Sequence, residues 1–335
     1  MVNPAVVNPA VVMLAVLGLF VWMLIHPKDT APVKIFLFIA GWTLFGPVAN
    51  AVMNAEAVAF PWKLDYSLYL IDRALGVSAF AFARQLLPRQ RDILFVIYLT
   101  LGHWMIVWYA LNLKIRNGRP KPLLLSYVIA YGLAPIFYLV VPACGPRHAF
   151  GGAFPMGNPQ VAPVPIHLAQ WPNAIPSLHF ATAILFVQFA GKNRILQCVA
   201  WVYLVGTAAA TLAFEHYVID LVVAIPYAYF AISAAEGRFA VSLRYLGVTL
   251  AWLVSIRFAT PVMAAHPYLL RGLALATLAV GAQAFASAWS MPHAAALDDA
   301  GPTERKSLIG LPRGGRPATS PAGAPANSGA RVGTQ

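Results

Sequence analysis

Two histidines and an aspartate lie close to the starts of two apolar stretches in this sequence. His179 follows Pro-Ser-Leu at the start of one stretch, and His216 begins another, with Asp220 four residues further on. Residues four apart share one face of a helix, so Asp220 can hold and polarise the imidazole of His216. Polar groups inside apolar segments are costly and are therefore candidates for function. The pattern predicts a catalytic triad, provided that both helix starts lie on the same side of a membrane.

The composition identifies the class of protein. Of the 335 residues, 60% are hydrophobic and only 10% are charged, whereas soluble domains are about 45–50% apolar. The net charge of +12 comes mainly from short loops and the C-terminal tail, so it indicates membrane topology and not a nucleic acid partner. The two cysteines form no disulfide framework and have no metal-binding spacing. We therefore expect a polytopic membrane protein without a metal or another cofactor.

The fold is predicted from apolar runs that approach the roughly 20 residues needed to cross a bilayer. The fifth and eighth of these runs are short, so the prediction is an all-α transmembrane helical bundle with eight or nine spans. Beyond residue 290 the chain turns to Gly, Pro, Ala, Ser and Arg, which predicts a disordered cytoplasmic tail over 291–335. The nine runs cover residues 6–25, 35–53, 93–113, 123–141, 176–190, 195–214, 216–235, 245–260 and 269–289.

Basic residues predict the orientation. Four basic loops fall on one side of the membrane by simple alternation of the runs, and the positive-inside rule makes that side cytoplasmic. The triad then faces the extracytoplasmic side of what we expect to be a bacterial plasma (inner) membrane. The stretch 54–92 also lies outside, either as amphipathic helices at the interface or as a folded loop. The four loops contain Lys28 and Lys34; Lys114, Arg116, Arg119 and Lys121; Lys192 and Arg194; and Arg238 and Arg244.

Three segments together resemble the phosphatidic acid phosphatase type 2 (PAP2) superfamily, and within it the branch of inositol phosphorylceramide synthases and related bacterial phosphotransferases. They are residues 142–147, 173–179 and 216–220. The resemblance implies a six-helix catalytic core within 35–235, preceded by a helix and loop over 1–34 and followed by further helices over 236–290. It also implies that His216 is a nucleophile on phosphorus, that Asp220 orients it and that His179 is a general acid.

Several positions depart from the superfamily pattern. Leu178 stands where Gly is usual, a variant that we associate with the inositol phosphotransferase-like branch, and Ala210 replaces the Arg that many phosphatases carry six residues before the nucleophile. Lys114 with Arg119 imitates the first motif, but the spacing is too short and the pair lies on the predicted cytoplasmic side. Arg147 is the better candidate to clamp a phosphate, since a guanidinium presents a planar fork to two oxygens. Alternatively, Arg147 only marks the membrane interface.

The predicted function is transfer of a phosphorylated head group from a lipid-linked phosphate ester to a lipid or polyol alcohol, through a phosphohistidine. Hydrolysis by water is the alternative, and a transporter or an inactive scaffold is less favoured. Ser177 is expected to donate its hydroxyl to the phosphate, or else only to cap a helix. Free backbone N–H groups at the helix starts near His179 and His216 are also expected to face the phosphate.

Overall fold

The computed structural model describes residues 30–115, 118–155 and 166–290. Within these ranges the chain forms eleven α-helices, one 3-10 turn at Gly151–Ala153 and one pair of antiparallel strands, β1 (Trp62–Lys63) and β2 (Ile166–His167). The helices are α1 (Ala31–Ala59), α2 (Asp65–Leu75), α3 (Ala79–Gln85), α4 (Pro88–Lys114), α5 (Pro120–Val140), α6 (Pro146–Phe150), α7 (Leu178–Gln188), α8 (Arg194–Phe214), α9 (Val218–Ala235), α10 (Phe239–Ala265) and α11 (Pro267–Ser290).

Seven helices in the described part of the chain are long and apolar enough to cross a membrane: α1, α4, α5, α8, α9, α10 and α11. They correspond to seven of the nine predicted runs, and the prediction of an all-α membrane bundle is confirmed. The first run, at 6–25, and the predicted tail at 291–335 lie outside the described residues. The eighth run was expected to be short, but it lies within the 27 residues of α10. Arg257 is no obstacle to this helix, because its guanidinium donates to the carbonyl oxygen of Leu139.

Helix α9 forms the centre of the bundle. It packs against α5, α7, α10 and α11, and 14 of its 18 residues are buried. A helix that is apolar on all sides is expected either in a protein interior or in lipid. By contrast, few residues of α1 are buried. Because α9 begins two residues after His216, the most enclosed helix of the bundle is also the one that positions the predicted nucleophile.

Helix α7 is the short member of the bundle. Its 11 residues span about 16 Å at 1.5 Å per residue, which is well below the roughly 30 Å of a bilayer core. Residues 181–187 are all buried. Irregular backbone at membrane depth is tolerated where protein surrounds it, so the chain before α7 can enter the bundle without forming a helix. His179 consequently lies in the first turn of a helix that begins inside the protein.

The segment between α1 and α4 is folded against the bundle. Helix α2 packs on α9, α10 and α11, and its residues Leu68 and Ile71 are fully buried. Strand β1 pairs with β2, which precedes α7 in the chain. Of the two alternatives left open by the sequence for 54–92, the structure agrees with a folded segment, because the apolar side chains of α2 contact protein.

Candidate active site

The three segments that carry the sequence motifs meet at one end of the bundle. The ring centroids of His179 and His216 are 6.1 Å apart. The backbone N–H of Ala174 donates to the carbonyl oxygen of Ala143 at 2.9 Å, which joins the segment before α7 to the turn at 142–147. The helix starts of α7 and α9 therefore lie together, as the triad required.

The contacts of His216 determine which of its ring nitrogens carries the proton. Nδ1 lies 2.8 Å from the carbonyl oxygen of Ala174 and 3.3 Å from Oδ2 of Asp220. Both partners are hydrogen-bond acceptors, so Nδ1 bears the hydrogen, and in the neutral imidazole Nε2 then keeps its lone pair. Asp220 is fully buried and also accepts a hydrogen bond from the backbone N–H of Tyr217 at 2.9 Å. This tautomer suits attack by Nε2 on an electrophile.

Ser177 lies between the helix start and the imidazole. Its Oγ is 3.3 Å from Nε2 of His216 and accepts a hydrogen bond from the backbone N–H of Phe180 at 3.4 Å. With Nε2 unprotonated, the serine hydroxyl is the donor in the first contact. Ser177 therefore caps α7 and also contacts the imidazole of His216, while its hydrogen bond to a phosphate stays a prediction.

His179 is held by an aromatic ring that the sequence did not single out. Tyr98 of α4 stacks on it, with ring centroids 4.1 Å apart and 21° between the planes. Tyr98 is itself buried. Stacking fixes the plane of the imidazole while it leaves the ring nitrogens at the edge free to face a substrate.

Arg147 lies beside the residue that precedes His216. Its Nη1 is 3.8 Å from Oε1 of Glu215, and Nε2 of His148 is 3.0 Å from Oε2 of the same carboxylate. The hydrogen bond to Glu215 raises the pKa of His148 above its usual value. The sequence pattern predicted no partner for His148. Glu215 could have been considered a candidate residue of the site, because it directly precedes His216. Arg147, His148 and Glu215 form what we call the entrance cluster.

The expectation of free backbone N–H groups at the start of α9 is wrong. The N–H groups of Val218 and Ile219 donate to the two carboxylate oxygens of Asp72, at 2.9 and 3.1 Å. The N–H of Tyr217 is taken by Asp220. A buried helix start must satisfy its unpaired donors, and here the side chains of Asp72 and Asp220 do so.

Arg119, which with Lys114 imitates the first motif of the superfamily, lies at the end of the bundle opposite to the candidate site. Arg119 forms an ion pair with Glu236, the residue that follows the last residue of α9. The 18 residues of α9 separate this pair from His216 by about 27 Å. Ala210 is fully buried in α8 and supplies no charge. Within the described ranges, no group of three or more His, Cys, Asp or Glu residues is placed to hold a metal ion.

A family model described as the PAP2 superfamily matches residues 66–235, which is half of the chain. The chain belongs to the PAP2 superfamily. The match runs from α2 to the end of α9 and includes His179, His216, Asp220, Arg147 and Ser177. Members of the superfamily are phosphatases and phosphotransferases, which supports an enzyme acting on phosphate esters. Neither the curated proteins nor the solved structures contain a match to the chain.

Proposed function

We propose that this protein is an integral membrane phosphotransferase that moves a phosphorylated head group from a lipid donor to an alcohol acceptor. The observation that carries the proposal is the state of His216. Its Nδ1 proton is held by Ala174 and Asp220, and its Nε2 lone pair is directed at the hydroxyl of Ser177. A neutral imidazole held in one tautomer is a nucleophile prepared for phosphorus.

In the first half-reaction, Nε2 of His216 attacks the phosphorus of the donor. The bond from phosphorus to the donor's lipid oxygen breaks, and that oxygen takes a proton from His179, which is protonated when the anionic phosphate lies beside it. In the second half-reaction, the acceptor hydroxyl gives its proton to His179 and attacks the phosphorus, and the bond to Nε2 breaks. The head group phosphate is then esterified to the acceptor, and both histidines return to their starting states.

Positive charge beside the nucleophile is supplied by Arg147 and by protonated His148. Phosphoryl transfer depends mainly on positioning and on donors directed at the non-bridging oxygens. Glu215 contacts both Arg147 and His148, so a phosphate that binds these two side chains competes with Glu215 for them. The basic loops favour an extracytoplasmic site in a bacterial inner membrane.

Leu178 and Ala210 support the inositol phosphorylceramide synthase-like branch and hence transfer to a lipid or polyol alcohol. The runner-up function is hydrolysis, in which water attacks the phosphohistidine and the bond to Nε2 breaks. A lipid phosphate monoester then yields inorganic phosphate, and a diester donor yields the free phosphorylated head group. Both functions use the same triad and differ only in which hydroxyl reaches phosphorus in the second half-reaction. The acceptor therefore has to be identified by experiment.

The test uses detergent-purified protein with phospholipid donors labelled in the head group. Ceramide, diacylglycerol or polyprenol is supplied or omitted, and the products are identified by mass spectrometry. We expect a new head-group-bearing lipid that disappears in His216→Ala and persists in His266→Ala, a histidine in the exposed turn between α10 and α11. Free phosphorylated head group as the only product under every condition, or inorganic phosphate from a phosphate monoester donor, would instead establish hydrolysis.

A further inference from the structure

Helix α2 carries two buried carboxylates that point at the candidate site. Asp65 and Asp72 are seven residues apart, which places them on the same face two turns apart. Their exposed fractions are 0% and 1%. A carboxylate removed from water is costly unless it is hydrogen-bonded. The hydrogen-bond donors to Asp65 and Asp72 therefore show which parts of the site these two carboxylates hold in place.

Asp65 joins two of the motif segments. Its Oδ1 accepts from the backbone N–H of Gly145 at 2.8 Å and from the hydroxyl of Tyr217 at 3.0 Å. Its Oδ2 accepts from the backbone N–H of Cys144 at 3.0 Å. One side chain thus fixes the turn that carries Arg147 to the residue that follows His216.

Asp72 caps a helix to which it does not belong. It accepts from the first two backbone N–H groups of α9, at Val218 and Ile219. The N-cap residue of α9 is Tyr217, whose side chain makes no capping hydrogen bond. A carboxylate at a helix N-terminus is favoured by the helix dipole as well as by its hydrogen bonds. Asp72 therefore fixes where α9 begins, and with it the direction in which His216 projects.

We propose that Asp65 and Asp72 are positioning residues for His216. They hold the 142–147 turn and the start of α9 so that Nδ1 stays on Ala174 and Asp220 while Nε2 faces the substrate. The inference rests on the proposed function for its effect on rate, but its geometric part concerns only the imidazole. Neither aspartate touches the reacting atoms, so each acts through the backbone that carries His216.

The first measurement is independent of activity. In protein with ¹⁵N-labelled histidine, the ring signals of His216 are assigned by their loss in His216→Ala. Wild-type protein should show protonated Nδ1 and unprotonated Nε2. In Asp72→Asn and Asp65→Asn we expect a mixture of tautomers, because Asn keeps one acceptor oxygen and loses the charge. Unchanged His216 signals in both variants would overturn the proposal, even if the enzyme proved to have another substrate.

The second measurement is kinetic. A misplacement of about 1 Å can cost on the order of 10²-fold in rate, so we expect kcat per folded protein to fall about tenfold to 100-fold in Asp72→Asn with KM nearly unchanged. Tyr217→Phe, which removes one donor to Asp65 and keeps the ring, should cause a smaller loss of kcat. This variant preserves the test if the aspartate variants fold poorly.

Glu56→Gln is the matched control, because Glu56 is a buried carboxylate on α1 whose Oε2 has no hydrogen-bond partner among the described residues. It should keep the kcat of the wild type. An equal fall in Glu56→Gln, or normal kcat in Asp72→Asn and Tyr217→Phe, would contradict positioning. If His216→Ala is inactive while the aspartate variants are normal, only this inference fails. If His216→Ala is fully active, the proposed function fails instead.

Discussion

At the scale of single residues, the chemistry of His216 is set by one backbone oxygen and one carboxylate. Ala174 and Asp220 are both acceptors for Nδ1, which leaves Nε2 as the basic nitrogen. The Asp220 contact is local and was predicted from the spacing. The Ala174 contact joins residues 42 apart in the chain. No pattern of side chains in the sequence predicts a contact with a backbone carbonyl. A sequence can therefore indicate a candidate nucleophile without showing what orients it.

The entrance cluster predicts a pH dependence. Because the hydrogen bond to Glu215 raises the pKa of His148, the imidazole is protonated below that raised pKa and loses its charge above it. The contribution of the His148–Glu215 pair to folding stability is fully present below the pKa of His148 in the unfolded chain. It is lost as pH rises through the raised pKa of His148 in the folded protein. We expect KM for an anionic phosphate donor to rise as pH passes this value. In His148→Gln the KM should be higher and this step absent. The same pH step in the variant would contradict the assignment.

At the scale of elements, the site depends on a turn that only glycine can make. Gly145 has φ +85°, and a Cβ there would lie 1.9 Å from the carbonyl oxygen of Glu215. The turn at 142–147 thus packs directly on the backbone that leads into His216. Glycine is needed here for both its conformation and its lack of a side chain.

Two glycine variants separate these requirements. Gly151 also has a positive φ, of +50°, but a Cβ there would meet nothing within 4 Å. We expect Gly145→Ala to reduce kcat/KM on the order of 10²-fold, because it displaces the 142–147 turn from Glu215. Gly151→Ala should keep activity within about threefold, since it adds only local backbone strain. Activity assays with thermal unfolding of both proteins check this, and equal losses would contradict the packing argument.

The elements also differ in how far the sequence predicts them. The apolar runs predicted the long helices because hydropathy follows directly from composition, and the motifs predicted that α7 and α9 start at one place. Helix α2 was not predicted to contribute to the site. Its aspartates act on backbone groups far along the chain, at 144–145 and 218–219, and such contacts depend on tertiary packing. The stacking of Tyr98 on His179 was not predicted for the same reason, since a tyrosine within an apolar run does not by itself indicate a contact with the site.

At the scale of the whole molecule, α9 separates two polar ends. His216 lies before its first residue, and the ion pair of Arg119 with Glu236 lies after its last. Arg238 also contacts Glu236. The second end ties α5 to the connection between α9 and α10, a helix length away from the entrance cluster. This arrangement predicts different consequences for two arginines that look alike in sequence.

Arg147→Gln and Arg119→Gln form a matched pair. We expect Arg147→Gln to raise KM for the phosphate donor about tenfold or more, because a charge-assisted contact to the phosphate is lost. Arg119→Gln should leave KM unchanged and lower the thermal unfolding midpoint slightly. Steady-state kinetics over a range of donor concentrations check both. A raised KM in Arg119→Gln alone would move the phosphate site to the other end of the bundle.

The orientation of the bundle is tested by accessibility. Single cysteines at the exposed positions 170 and 192 are placed in a background lacking Cys144 and Cys198, as Gln170→Cys and Lys192→Cys. An impermeant thiol reagent applied to intact cells should label the first and spare the second, because the basic loops are predicted to be cytoplasmic. The reverse labelling would place the site inside the cell and change which substrates can reach it.

The central claim is that Nε2 of His216 forms a bond to phosphorus. A donor carrying ³²P is mixed with enzyme in the absence of acceptor, the reaction is quenched in alkali, and the labelled peptide is mapped by mass spectrometry. We expect acid-labile phosphorus on the peptide containing His216, with its rate of appearance reduced on the order of 10²-fold or more in His179→Ala. Adding the acceptor should discharge the label into product. Turnover without label on His216, or a label that persists in His216→Ala, would contradict the account.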